Sequence, residues 1–146
     1  MIALGCDHGG FALMREVIKY LDEHSLPYKN FGTYTEDSCD YPAFAEPVAR
    51  AVAAGECERG ILICSTGIGM SIAANKIPGV RAALCTDTFS AEMTRRHNDA
   101  NILVLGARVT GPGLALHILE AFLKTPFDGG RHARRVEMLG ALDKCR

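Results

Sequence analysis

The chain lacks an excess of charge of either sign. Its 16 Lys and Arg against 17 Asp and Glu leave a formal net charge of −1. That balance excludes the broad basic footprint of a general nucleic-acid binder. The chain also lacks any apolar run near the ~18 residues that a membrane span needs. The apolar start Ile2–Cys6 is stopped at once by Asp7 and His8, too early for the core of a signal peptide. No two cysteines form a CxxC pair, and no two histidines lie at HxH or HxxxH spacing, so no metal is expected. Internal repeats, low-complexity tracts and linkers are absent as well.

What is present suits a packed domain. The 146 residues are 48% hydrophobic and include 15 glycines. A single domain over residues 1–146, with one core and many tight turns, is expected. The cysteines stand at positions 6, 39, 57, 64, 85 and 145. An even count invites disulfides, but a domain of this size needs no staples, and these cysteines are scattered. Cys6, Cys64 and Cys85 lie in or beside apolar runs that read as buried strands. Reduced thiols in a cytoplasmic protein are therefore expected.

Short apolar runs alternate with helical patterns. Ile2–Cys6 reads as a strand, and Phe11, Met14, Val17, Ile18 and Leu21 give Phe11–Glu23 a helical period. Tyr28–Phe31 is a short strand ended by Gly32. A helix starts at Asp40-Tyr41-Pro42 and stops at Gly55, with Pro47 able to distort it. Gly60–Cys64 is the clearest buried strand. Its glycine-bearing turn opens a helix from about Met70 to Lys76. Val80–Cys85, Thr88–His97, Ile102–Leu105 and Pro112–Lys124 continue the alternation. A basic segment, Arg131–Arg135, then precedes a C-terminal helix carrying Val136, Leu139 and Leu142. This order predicts an α/β, Rossmann-like three-layer sandwich: a five-stranded parallel sheet with helices on both faces and a C-terminal helix.

In such sheets ligands collect at the carboxyl ends of the strands. That rule selects Asp7-His8, Cys64–Gly69, Asp87 and Gly106–Arg108. In Cys64-Ser65-Thr66-Gly67-Ile68-Gly69 a cysteine ends a strand and a turn of small residues opens a helix. Backbone N–H groups there favour anions, and a helix N-terminus favours the thiolate of a cysteine beside it. A buried structural cysteine above a tight turn is the plain alternative. Two sharper motifs fail on spacing. A cysteine phosphatase needs arginine where Met70 stands, and a dinucleotide fingerprint needs glycine where Ile72 stands. His97 has the chemistry to move a proton near neutral pH, and Asn98 to hydrogen-bond an oxyanion. Arg108, Arg131, His132, Arg134 and Arg135 form a basic set suited to one small phosphate. His24 and His117 carry no assigned role.

Six segments together closely resemble the type B ribose-5-phosphate isomerase family, which includes the galactose-6-phosphate isomerase subunits. They are Gly5–Gly10, Asp40-Tyr41-Pro42, Ile63–Gly69, Ile72–Lys76, Arg96–Asp99 and Gly129–His132, in family order over nearly the whole chain. The resemblance implies aldose–ketose isomerisation through an enediolate, with no cofactor. Cys64 would be the proton-transferring base. Thr66 and the N–H groups of Ser65, Gly67, Ile68 and Gly69 would hold the enediolate oxygens. His97 would open the furanose ring, with Asp7 assisting. Tyr41 and Asn98 would contact the sugar. His8, Arg108, Arg131 and Arg135 would bind phosphate, with His132 beside them in the site. The resemblance also implies a homodimer, or a tetramer, whose sites are shared between chains, with no nucleic acid or membrane partner. Two departures bear on this. Ser65 stands where many members carry glycine, and Met70 where one branch carries a glutamate base, which puts this chain in the cysteine-base branch. Cys64 and His97-Asn98 occur together here, whereas in the galactose-6-phosphate enzymes such features look divided between two subunits. That favours ribose 5-phosphate over a six-carbon sugar phosphate such as allose or galactose 6-phosphate. A non-catalytic phosphate- or nucleotide-binding module is the remaining alternative.

Overall fold

The computed structural model describes residues 1–143; Cys145, with its expected free thiol, lies outside them. The strands are β1 (Ile2–Cys6), β2 (Tyr28–Asn30), β3 (Arg59–Cys64), β4 (Ala82–Leu84) and β5 (Ile102–Gly106). The helices are α1 (Phe11–Glu23), α2 (Pro42–Ala53), α3 (Ile68–Ala74), α4 (Thr88–Asn98), α5 (Pro112–Lys124) and α6 (Arg131–Leu142). All the strands pair in parallel, in the order β2-β1-β3-β5-β4. The chain moves outward from β1 to β2, then crosses to the other side of β1 to lay down β3. The topological switch point therefore falls between β1 and β3, and the crevice at their carboxyl ends is where an open α/β sheet takes its ligand.

Parallel strands buried on both faces read as continuous apolar runs, which is why β3 and β5 stand out in the sequence. Successive side chains of a strand point to opposite faces. Leu4, Cys6, Ile61, Ile63, Leu103 and Leu105 pack with Met14, Val17, Ile118 and Phe122 of α1 and α5. Ala3, Leu62, Cys64, Ile102 and Val104 pack with Val48, Ala49, Met70 and Ala74 of α2 and α3. α6 lies outside these layers, against α4.

Three elements differ most from the sequence expectation, each for a local reason. α3 begins at Ile68 rather than near Met70, because Gly67 (φ 79°) turns the chain into the helix directly. β4 is short because it is an edge strand paired only with β5, and Asn101 Oδ1 accepts the Arg81 N–H at its start (2.8 Å). The basic segment is not a lead-in to the last helix but its first turn. Gly129 and Gly130 (φ 64° and 55°) bend the chain so that α6 starts at Arg131. Pro47 sits inside α2, which continues to Ala53 past the missing N–H.

Candidate active site

The carboxyl ends of β1, β3 and β5 meet through main-chain bonds. The Asp7 N–H donates to the Ile63 carbonyl (3.2 Å). The Ala107 and Arg108 N–H groups donate to the carbonyls of Cys64 and Ser65 (2.9 Å each). A Cβ on Gly9 would come within 2.2 Å of Ser65 Oγ, so the loops after β1 and β3 are in direct contact. Asp7 is 6% exposed, and its Oδ1 accepts the Gly10 N–H at 3.0 Å.

Cys64 ends β3 and is 5% exposed. Its Sγ accepts the Gly67 N–H at 3.1 Å. That bond depends on the left-handed backbone of Gly67, which leads from the strand into α3. Thr66 is exposed, and its Oγ1 accepts the Ile68 N–H at 3.3 Å. Tyr41, at the start of α2, lies over Gly69: a Cβ there would stand 2.7 Å from Tyr41 Cζ. His8 is exposed, and its Nδ1 accepts the Cys39 N–H at 3.2 Å, with Cys39 Sγ at 3.8 Å. One end of the sheet thus gathers Asp7, His8, Tyr41, Cys64, Ser65, Thr66, Gly67, Ile68, Gly69 and the exposed Arg108.

The remaining candidates are elsewhere. α4 runs back across the sheet and ends at Asn98, just before β5 begins at Ile102. Cys64 pairs with Gly106 at the far end of β5. The intervening strand is roughly 13 Å long at ~3.3 Å per residue. Within one chain His97 and Asn98 therefore stand at the opposite end of the sheet from Cys64. His97 stacks on His132 of α6, with ring centroids 4.3 Å apart and planes 10° from parallel. Arg131, Arg134 and Arg135 surround His132 as exposed side chains. His132 itself is 8% exposed. Burial, the neighbouring His97 and the charges of Arg131 and Arg135 all push its pKa below the ordinary 6.5, while Asp128 pulls the other way.

His97, Asp128 and His132 also place three potential metal ligands within 4.8 Å of one another. Sequence spacing overlooks this group, because its histidines come from different helices. The near-parallel rings direct their nitrogen lone pairs along parallel planes rather than at one point, and Asp128 already pairs with Arg96 at 3.2 Å. Cys39 is the other contact the sequence does not announce. It reaches His8 across a separation of 31 residues from a loop with no regular pattern.

A five-stranded open parallel sheet with polar and charged side chains gathered at its switch-point crevice defines a protein of the α/β class that takes its ligand at the strand ends. Residues 2–139 match the family described as Ribose/Galactose Isomerase. The chain is 48% identical over 145 residues to ribose-5-phosphate isomerase B of Escherichia coli (strain K12), covering 99% of this chain and 97% of that protein. It is 43% identical over 140 residues to D-erythrulose-4-phosphate isomerase of Pectobacterium atrosepticum, covering 95% and 92%. Its structure matches that of Clostridium thermocellum ribose-5-phosphate isomerase B with a TM-score of 0.97 and 53% identity, covering 99% and 97%. The chain belongs to the ribose/galactose isomerase family and is an isomerase. Among the described residues no helix is long and apolar enough to cross a membrane.

Proposed function

We propose that the whole chain acts as one domain that interconverts D-ribose 5-phosphate and D-ribulose 5-phosphate through a cis-enediolate. The observation that carries this reading is Cys64 at the switch point, with its Sγ accepting the Gly67 N–H at 3.1 Å beside exposed Thr66. As thiolate, Cys64 removes the proton from C2 of the open-chain aldose and returns it to C1. The hydroxyl proton of O2 is lost and one is gained at O1, so the overall change is an isomerisation. Thr66 and the N–H groups of Ser65–Gly69 stabilise the negative oxygens of the enediolate as charge develops. Before this step the furanose must open, and His97 moves that proton with Asp7 assisting at the ring oxygen and hydroxyls. Tyr41 and Asn98 contact the sugar. His8, Arg108, Arg131, His132 and Arg135 hold the phosphate.

Cys64 and His97 lie at opposite ends of the sheet in one chain, so this chemistry needs two chains. A homodimer in which the basic end of one subunit faces the cysteine crevice of its partner supplies both halves. Such a pairing makes two equivalent sites by symmetry.

The test is a panel of kcat/KM values with EDTA present, over ribose 5-phosphate, allose 6-phosphate, galactose 6-phosphate and D-erythrulose 4-phosphate. The four-carbon sugar is included because a relative 43% identical to this chain is named for it. Ribose 5-phosphate is expected to lead. A six-carbon phosphate in the lead would reassign the substrate, and tight binding without turnover of any of them would leave a binding module.

A further inference from the structure

The C-terminal end of α4 is held by a group of charged side chains, Arg81, Arg95 and Asp99. Asp99 follows the helix in the left-handed region (φ 46°, ψ 43°). Aspartate enters this region more readily than most residues but still at some cost, which its surroundings offset. Here the surroundings are two guanidinium groups. Arg95, 2% exposed, donates from Nη1 to Asp99 Oδ1 (2.8 Å) and to the Ala100 carbonyl (2.6 Å), and from Nε to the Thr125 carbonyl (3.3 Å). Arg81, from the edge of β4, donates from Nη2 to Asp99 Oδ2 (3.2 Å). Its Nε is shared between the carbonyls of Asn98 (3.1 Å) and Asp99 (3.0 Å). One carboxylate thus bridges two cations; Arg81 also grips main-chain carbonyls at the negative end of the helix, while Arg95 ties the residue beyond it, Ala100, to the end of α5 at Thr125.

We propose that Arg81, Arg95 and Asp99 are positioning residues for ring opening. They fix the peptide planes on the C-terminal side of His97 and so aim His97 and Asn98 at the substrate. On the other flank Arg96 pairs with Asp128 (3.2 Å) and its carbonyl accepts the Asp128 N–H (3.1 Å), which ties the same helical turn to the loop before α6. His97 is therefore gripped on both sides through the main chain. Its own ring remains in the stack with His132. A buried arginine with this many fixed acceptors holds one geometry, because any displacement strands its charge. The proposal rests on the ring-opening role given to His97 above.

The test separates ring opening from the isomerisation step. Ribose 5-phosphate in water is mostly furanose and opens spontaneously at a finite rate. An enzyme that opens the ring turns over in proportion to its own concentration. One that cannot must wait for the open chain, so its rate levels off as enzyme is added. The variants are Asp99→Asn, which keeps the shape and tolerates the left-handed backbone, and Arg81→Gln, which acts from the partly exposed side and leaves Arg95 in place. His97→Ala is the reference. Both clamp variants are expected to lose on the order of 10²-fold in kcat with little change in KM, to keep their circular dichroism spectrum, and to level off as His97→Ala does. A merely structural loss of active enzyme would lower the slope without producing a ceiling. Clamp variants that stay linear while His97→Ala levels off overturn the positioning role alone. His97→Ala staying linear overturns the ring-opening role and the clamp with it.

Discussion

At the carboxyl end of the sheet the candidate groups are held by main-chain hydrogen bonds alone. At the amino end they are held by paired charged side chains that in turn grip the main chain. Cys64 Sγ takes a backbone N–H, Asp7 takes another, and the loops after β3 and β5 are joined by N–H to carbonyl bonds. His97 instead stands among the Arg96–Asp128 pair, the Arg81–Asp99–Arg95 bridge and the His132 ring. The first kind of construction is rigid because the sheet is rigid. The second depends on charges, of which the more exposed Arg96–Asp128 pair is the one salt can weaken. On the proposed reading, the fixed donors of the first end serve proton abstraction from carbon and the imidazole of the second serves ring opening, with phosphate held by side chains from both ends.

Two variants test whether the two ends serve one site. Cys64→Ala and His97→Ala should each lose on the order of 10²–10⁴-fold in kcat, the range for a positioned acid or base, with melting temperatures near that of the parent. If the site is shared between subunits, unfolding and refolding the two dead variants together makes mixed dimers with one intact site. At equal input about a quarter of parental activity should return, since half the dimers are mixed and each has one good site of two. No recovery in a mixture shown by mass spectrometry to contain mixed dimers would place the two ends in separate functions.

A smaller effect probes the main-chain end alone. Gly67 has φ 79°, and a Cβ there would stand 2.4 Å from Leu84 Cδ1 and 3.0 Å from the Leu105 carbonyl carbon. Gly67→Ala is expected to destabilise the fold by about 1–3 kcal/mol, the range for a strained backbone residue, read from urea unfolding. Its activity should fall further than its stability, because the N–H aimed at Cys64 must turn away. A variant that loses stability but keeps kcat would show that this N–H does not serve the thiol.

The thiols give a milder test. Burial pushes Cys6 up to about 12 and Cys85 up to about 11. Cys39 is half-buried beside His8. Brief alkylation near pH 8, followed by peptide mass spectrometry, should label Cys39 while sparing Cys6 and Cys85, because only the thiolate reacts. Cys64, 5% exposed, should be labelled slowly because the reagent can scarcely reach it, and sugar phosphate should slow it further. Equal labelling of Cys6 and Cys39 would contradict the burial of β1.

The same difference explains what the sequence discloses. The bounds of β1, α1 and α5 are legible to the residue, because apolar periodicity sets them and a charged pair after β1, a glycine before α1 and a proline at the start of α5 mark an end of each. The cysteine crevice was readable too, since a strand end followed by a glycine-bearing turn is a local pattern. The amino end was not. Arg81 is 18 residues from Asp99, and Arg96 is 32 from Asp128. Nothing local in the chain marks those charges as partners. Its charge density makes the basic run at Arg131 resemble a loop, yet Gly129 and Gly130 start the helix there. That His97 and Cys64 lie at opposite ends of the sheet is a property of topology, visible only once α4 is seen to run back along β5.

The last and smallest effect tests the charge balance at the amino end. His132 is held below the ordinary 6.5, first by burial and then by His97, Arg131 and Arg135, with Asp128 opposing. Its unfolded state therefore binds protons more readily than its folded state. By linkage, the stability tied to this residue is complete above the unfolded value and is lost as pH falls through it towards the folded one. Arg135→Gln removes a repelling charge and should raise the His132 midpoint; Asp128→Asn removes an attracting one and should lower it. Proton NMR of the imidazole ring from about pH 7.5 to about pH 5 follows both shifts in the window where histidine titrates. Cys64→Ala, at the other end of the sheet, should leave the midpoint in place within one chain. If it moves the midpoint in the assembled protein, the ring of one subunit senses the crevice of its partner, and the two ends are electrostatically one site.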